Sequence, residues 1–139
     1  MFLSYQALPP PPPPPQIPGG YKKGDDGYFY KFHKEEKSWN DAQKACSDEG
    51  GNLAIIFNQQ TRDVVRGFMS KGWIGVSDQW QEGKWNTPIK GNLPYTSWGS
   101  GEPNNVGEED CAIQLANKLW NDLSCGSKQS FICQHNAGI

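Results

Sequence analysis

Seven of the 15 acidic residues fall in one stretch: Asp78, Glu82, Glu102, Glu108, Glu109, Asp110 and Asp122 all lie between Ser77 and Cys125. Carboxylates so concentrated repel one another and would oppose folding unless bound metal cations neutralised them. A solvated acidic loop is the plainer reading of the charge run taken alone. Two local patterns point past it. Glu102-Pro103-Asn104 is followed by Asn105, Val106, Gly107, Glu108, Glu109, Asp110 and Cys111, and Trp120-Asn121-Asp122 stands just before Cys125. Each mixes carboxylates with side-chain amides, the oxygen donors such an ion takes. No Ser-His or Cys-His spacing suggests a nucleophile, and the paired acids suit cation binding better than glycosidase chemistry, so no enzyme is expected. His33 and His135 lie far from the acids and lack metal spacing, which assigns them surface or structural roles.

The elements that must position these residues are legible in part. Tyr28-Phe29-Tyr30-Lys31-Phe32 is rich in strand-favouring aromatics and leads to Ser38, an N-cap candidate with Asp41 three residues on. A helix follows, with Trp39, Ala42, Ala45 and Cys46 on one face, and Gly50 and Gly51 end it. Leu53 to Phe57 reads as a short buried strand. A second helix is predicted from Gln59 to Met69, with Val64, Val65 and Phe68 on one face and Gly72 closing it. Trp73 to Val76, Ala112 to Leu115 and Ser130 to Cys133 read as strands. Between them the segment from Ser77 to Asp110 is dense in Gly, Pro, Asn and acid, and a loop of that length in a small domain needs a function or a stabilising ion.

At 139 residues the chain has room for one domain and a tail. Residues 1–20 contain the unbroken run Pro9 to Pro15 and end in Gly19 and Gly20, which reads as a proline-rich flexible arm; the domain is expected over 21–139. Net charge is -2, so neither nucleic acid nor direct membrane insertion is indicated. No segment approaches the roughly 20 apolar residues that span a bilayer. Cys46, Cys111, Cys125 and Cys133 form an even set with no close CxxC pair; two disulfides are expected, and cysteine number alone allows three pairings. Disulfides imply an oxidising compartment, so a secreted, extracellular protein is expected, although Met1 to Leu8 lacks the features of a signal peptide.

Taken together, Glu102-Pro103-Asn104, Trp120-Asn121-Asp122, Trp73-Ile74-Gly75-Val76, the helix–helix order and the cysteine positions resemble the C-type lectin family over about Tyr21 to Gln134. The stretch from Glu102 to Cys111 is similar to the mannose receptors of dendritic cells, and the domain also resembles invertebrate secreted lectins. The resemblance implies an α+β fold in which two helices flank small antiparallel sheets beside a long calcium-binding loop region. It implies the nested pairing Cys46–Cys133 and Cys111–Cys125. It implies a principal calcium held by Glu102, Asn104, Glu109, Asn121 and Asp122, and an auxiliary calcium held by Asp78, Glu82, Asn105, Glu109 and Asp110. A cis bond before Pro103 would turn Glu102 and Asn104 toward the same ion. In the family the Glu-Pro-Asn order goes with mannose-, fucose- and glucose-type sugars. Val106 stands beside the ion as a candidate apolar contact, while Glu108 is read as facing solvent. Trp120 is read as core, and Trp80, Trp85 and Trp98 as core or sugar-stacking rings. The implied function is calcium-dependent binding of mannose- or fucose-bearing glycans on microbial or symbiont surfaces. The alternative is a domain of the same fold that binds protein, lipid or ice. Because one shallow site binds sugar weakly, a homo-oligomer is expected.

Overall fold

The computed structural model describes residues 8–10, 17–104 and 109–135. In chain order the elements are β1 (Lys22–Lys23), β2 (Phe29–Lys37), α1 (Trp39–Asp48), β3 (Asn52–Leu53), α2 (Gln59–Phe68), β4 (Gly72–Ser77), β5 (Cys111–Gln114), β6 (Trp120–Leu123) and β7 (Gln129–His135). The strands join into one seven-stranded sheet in the order β1-β2-β7-β4-β5-β6, with β3 also paired to β7. Its ladders are antiparallel except where Trp73 of β4 meets Phe131 of β7 in parallel. The fold is α+β, and that single parallel contact makes the sheet mixed.

Alternating side chains send two cores to opposite faces of the sheet. One is built from Tyr30, Ile56, Val65, Met69, Ile74, Val76, Ala112, Trp120 and Ile132 and lies under α2. The other gathers Trp39, Ala42, Cys46, Leu53, Trp73, Ile113 and Phe131 beneath α1. The Ser38 hydroxyl caps α1 by accepting from Asp41 N at 3.3 Å, and Asn58 caps α2 by accepting from Thr61 N at 2.9 Å. Both disulfides belong to the α1 side: Cys46–Cys133 spans 87 residues and Cys111–Cys125 spans 14. In the chain-entropy account each is worth roughly 3–5 kcal/mol, the longer loop more.

Two expected elements differ. The strand read over Leu53–Phe57 pairs only at Asn52 and Leu53. Ala54 to Ile56 are buried all the same, because the Gln134 side chain replaces the ladder: its Oε1 accepts from Ile55 N at 3.1 Å and its Nε2 donates to Ile55 O at 3.0 Å. Nor does Gly72 close α2. The helix stops at Phe68, and Gly72 opens β4, where a Cβ would collide with the Ser130 carbonyl. Glycine is needed there for close approach.

Candidate metal centre

The segment between β4 and β5 is anchored before it reaches the acids. Ser77 and Asn86 exchange backbone hydrogen bonds of 3.0 and 2.7 Å, while Trp98 bridges Trp120 in parallel. Trp98 packs edge-on against both Trp85 and Trp120, with centroids at 4.8 and 5.5 Å, so these rings support the loop from beneath. Trp80 is different: 40% exposed, it rests edge-on against Trp39 with Lys90 Nζ 5.9 Å from its ring.

A turn closed by Glu102 N donating to Gly99 O at 2.9 Å presents Glu102, and Gly101 supplies the left-handed φ of 78° that the turn requires. The Glu102–Pro103 bond is cis. Asn104 Nδ2 donates to Glu102 Oε1 at 2.9 Å, and Asn104 N lies 3.2 Å from Glu102 Oε2 and 3.1 Å from Asp122 Oδ1. The amide of Asn121, turned with its NH2 toward these acceptors, donates to both Glu102 oxygens at 2.8 and 3.0 Å. Asn121 and Asp122 come from β6, held in register by Ile113 and Ala112 of β5. Asp122 is fully buried. Its carboxylate, adjacent to Glu102, is the main reason the Glu102 carboxyl is pushed above its ordinary value; burial adds to this. The structure therefore brings together Glu102, Asn104, Asn121 and Asp122, while Glu109 is half-buried two residues before β5. Asn105, Val106 and Glu108 lie outside the described residues.

A second cluster forms where β4 ends. Carboxylate oxygens of Asp78, Glu82 and Asp110 lie within 4.8 Å of one another. Asp78 is 2% exposed, and Asp78 N donates to Asp110 O at 2.9 Å. Gly83 N donates to Asp78 Oδ2 at 3.0 Å, but the buried oxygens Asp78 Oδ1 and Asp110 Oδ1 have no hydrogen-bond partner. Burial, with the Asp110 and Glu82 carboxylates adding to it, pushes the Asp78 carboxyl up to about 6. Oxygen-only donors, mutual repulsion and orphaned buried oxygens are what a bound hard cation would resolve, so the residues present fit calcium.

Sequence reading missed the supports of this second cluster. Ser77 Oγ donates to Asp110 O at 2.8 Å and accepts from Gln79 N at 3.2 Å, fixing both acids from the end of β4. A serine directly before an acid at a strand end was the available signal. A third group, His33 with Glu49 and Cys133, is no metal site, since Cys133 is in a disulfide. His33 is buried against Phe131, its Nδ1 3.0 Å from Glu35 and its Nε2 3.1 Å from Glu49. Its role is structural.

A two-core mixed sheet with two helices, two disulfides and acid–amide clusters at its loop end defines the class to which this domain conforms. The model of the Lectin C-type domain matches residues 35–135, and the chain belongs to that family. It is 36% identical over 130 residues to C-type lectin lectoxin-Lio1 of Erythrolamprus poecilogyrus, covering 85% of this chain and 78% of that one. It is 37% identical over 120 residues to mouse CD209 antigen-like protein D, covering 78% of this chain and 48% of that one. Mouse C-type lectin domain family 4 member F is 32% identical over 123 residues, 81% of this chain but 22% of its own length. The chain thus spans a minor part of some relatives. Among solved structures, the cow CD23 carbohydrate-recognition domain, determined in the presence of a GlcNAc2Man3 oligosaccharide, superposes with TM-score 0.79 at 29% identity, covering 86% and 95% of the two chains. Herring type II antifreeze protein superposes with TM-score 0.75 at 28% identity, covering 84% and 96%.

Proposed function

We propose that this domain binds mannose- or fucose-type glycans through calcium held by Glu102, Asn104, Glu109, Asn121 and Asp122, without catalysis. The observation that carries this reading is the interlock of Glu102, Asn104, Asn121 and Asp122, which puts carboxylate acceptors and amide donors side by side on two segments. Bound Ca2+ would offer coordination positions that two neighbouring sugar hydroxyls can fill. The chain's own part is complementary: Glu102 accepts a hydrogen bond from one hydroxyl, and the Asn104 and Asn121 amides donate to hydroxyl lone pairs. The acid-then-amide order selects mannose-type over galactose-type sugars by deciding which side donates.

Asp78, Glu82, Asp110 and Glu109, with Asn105, form the second, auxiliary calcium site in this reading. Residues 1–20 serve as an arm to the lectin domain over 21–139, and several copies assemble, since one site binds a monosaccharide at only about 1 mM. Among the described residues no helix is long and apolar enough to cross a membrane. We place the protein outside the cell, secreted, as an invertebrate secreted lectin would be, with microbial or symbiont glycans as its targets. A glycan array read with calcium and with chelator tests the proposal: calcium-dependent signals on mannose- or fucose-terminated glycans support it, and signals absent in calcium overturn it. The herring antifreeze neighbour motivates the second reading, a protein, lipid or ice ligand; competition by soluble mannose separates the two.

A further inference from the structure

The strand register gathers cations at the end of the sheet where β2 finishes and β7 and β4 begin. Lys37 pairs with Gln129, so it stands beside Lys128. Trp73 pairs in parallel with Phe131, which sets Lys71, two residues before Trp73, against the same Gln129 from the other side. Lys34 O accepts from Ser130 Oγ at 3.0 Å, and Gly72 abuts the Ser130 carbonyl, so Lys34 and Lys71 flank one residue. With neighbouring strands about 4.8 Å apart, Lys37 and Lys71 are separated by roughly 10 Å across β7. Lys34, Lys71 and Lys128 are exposed and Lys37 half-buried.

None of the four is in an ion pair with a described acid, whereas Lys31, Lys44 and Lys118 all are. Of the nearby acids, Glu35 is held by His33 at 3.0 Å. Glu35 keeps its charge and feels that of Lys37, so with Glu36 of β2 and Asp41 of α1 three anions face the four cations, in a molecule whose net charge is -2. Phe32, 40% exposed, shares the face of β2 that carries Lys34.

We propose that Lys34, Lys37, Lys71 and Lys128 form a second, calcium-independent site for a polyanionic polysaccharide bearing sulfate or phosphate esters. Ammonium groups on flexible stems suit esters spaced along a chain, because each is a point charge needing no fixed fork geometry. A polymer fits this surface better than a bilayer: it is the end of a sheet with one half-exposed ring, and no apolar tip projects to penetrate lipid. Two unlike sites would let one domain hold a neutral mannose-type terminus and an anionic chain of the same surface together.

The test uses the full chain in chelator, which silences the calcium-dependent site, on immobilised dextran sulfate and on uncharged dextran. Retention on dextran sulfate alone is expected, falling at least about tenfold in affinity between 50 and 300 mM salt. K34Q/K37Q/K71Q/K128Q should abolish it, while K22Q/K23Q/K44Q/K90Q, with the same change of net charge, should keep it. Both variants should melt like the parent, since every substituted side chain but half-buried Lys37 is exposed and glutamine keeps much of the Lys37 stem. Failure of the parent to bind, equal loss in both variants, a calcium requirement, or binding to anionic-lipid vesicles or DNA with none to dextran sulfate would overturn the proposal. Loss of mannose binding in calcium leaves this result unchanged, so the two readings fail separately.

Discussion

Around Glu102 the carboxylates meet amide donors; around Asp78 they meet one another. Asn104 and Asn121 both donate to Glu102, and Asn104 N reaches Asp122, so that cluster has partial internal compensation. In the Asp78–Glu82–Asp110 cluster Gly83 N donates to Asp78 Oδ2, and two buried oxygens, Asp78 Oδ1 and Asp110 Oδ1, are orphaned. Unsatisfied buried carboxylates cost stability, and donors lower that cost, as they do for half-exposed Glu102 and buried Asp122. Under the proposed function the contrast divides the labour: the Glu102 cluster would govern sugar binding, and the Asp78 cluster would govern how firmly the loop is held.

The largest effect that would break this division is on binding. Glu102→Ala should weaken retention on mannose resin by at least about 100-fold, equivalent to roughly 2.7 kcal/mol, because it removes a proposed ligand and a hydroxyl acceptor together. Its melting temperature in calcium should stay within about 2 °C of the parent. A large fall in melting temperature would show that the Glu102 cluster also bears on loop stability.

Next comes the response to calcium itself. At about 100 times its dissociation constant a ligand stabilises by about 2.7 kcal/mol, which in a domain of this size raises the melting temperature by roughly 10 °C. Asp78→Asn should remove most of that gain and make the chelated protein more stable than the chelated parent, since one buried charge is gone. Thermal melts of both proteins, with and without calcium, check this. An undiminished calcium gain in the variant would move loop stabilisation to the Glu102 cluster. A smaller effect is expected from exchanging donor and acceptor: Glu102→Gln with Asn104→Asp should shift the mannose-to-galactose preference by about tenfold, read by competitive elution. An unchanged preference would mean that donors and acceptors are misassigned.

The two clusters also differ in how far the sequence reveals them. Glu102, Asn104, Asn121 and Asp122 sit in two short motifs, and the resemblance those motifs carry names them as a set. Helix α1 was equally plain, since Ser38 caps it and Trp39, Ala42 and Cys46 line its buried face. By contrast, Ser77 directly before Asp78 signals only the local support, while the orphaned oxygens of Asp78 and Asp110 arise from burial at the β4–β5 contact, which joins distant segments. Long-range partners hid other features too. Gln134 satisfies Ile55 across 79 residues and so dissolves the strand that Leu53 to Phe57 suggests. The His33 contacts and the lysine surface likewise need the sheet register, because their members come from separate segments.

The smallest effect, and the sharpest on the comparison, is the pH dependence of the chelated protein. In that state the Asp78 carboxyl is pushed up to about 6 from 3.8, through burial and then its neighbours Asp110 and Glu82. The folded chain therefore holds a proton more tightly than the unfolded chain, so this group's contribution is full below about pH 4 and is lost as pH rises through 6. Glu102 is shifted in the same direction. Glu35 and Asp63 are lowered from ordinary values of 4.5 and 3.8, so their opposite contributions change below pH 5 and leave the window from 5 to 7 to the raised groups. Chelated protein should accordingly be more stable at pH 5 than at pH 7, by on the order of 1 kcal/mol. Calcium-loaded protein should show the reverse, because protons compete with the ion for the same oxygens. Melts at the two pH values, in chelator and in calcium, should cross, and Asp78→Asn should flatten the chelated branch. Parallel branches would mean that the buried carboxylates are not where the ion acts.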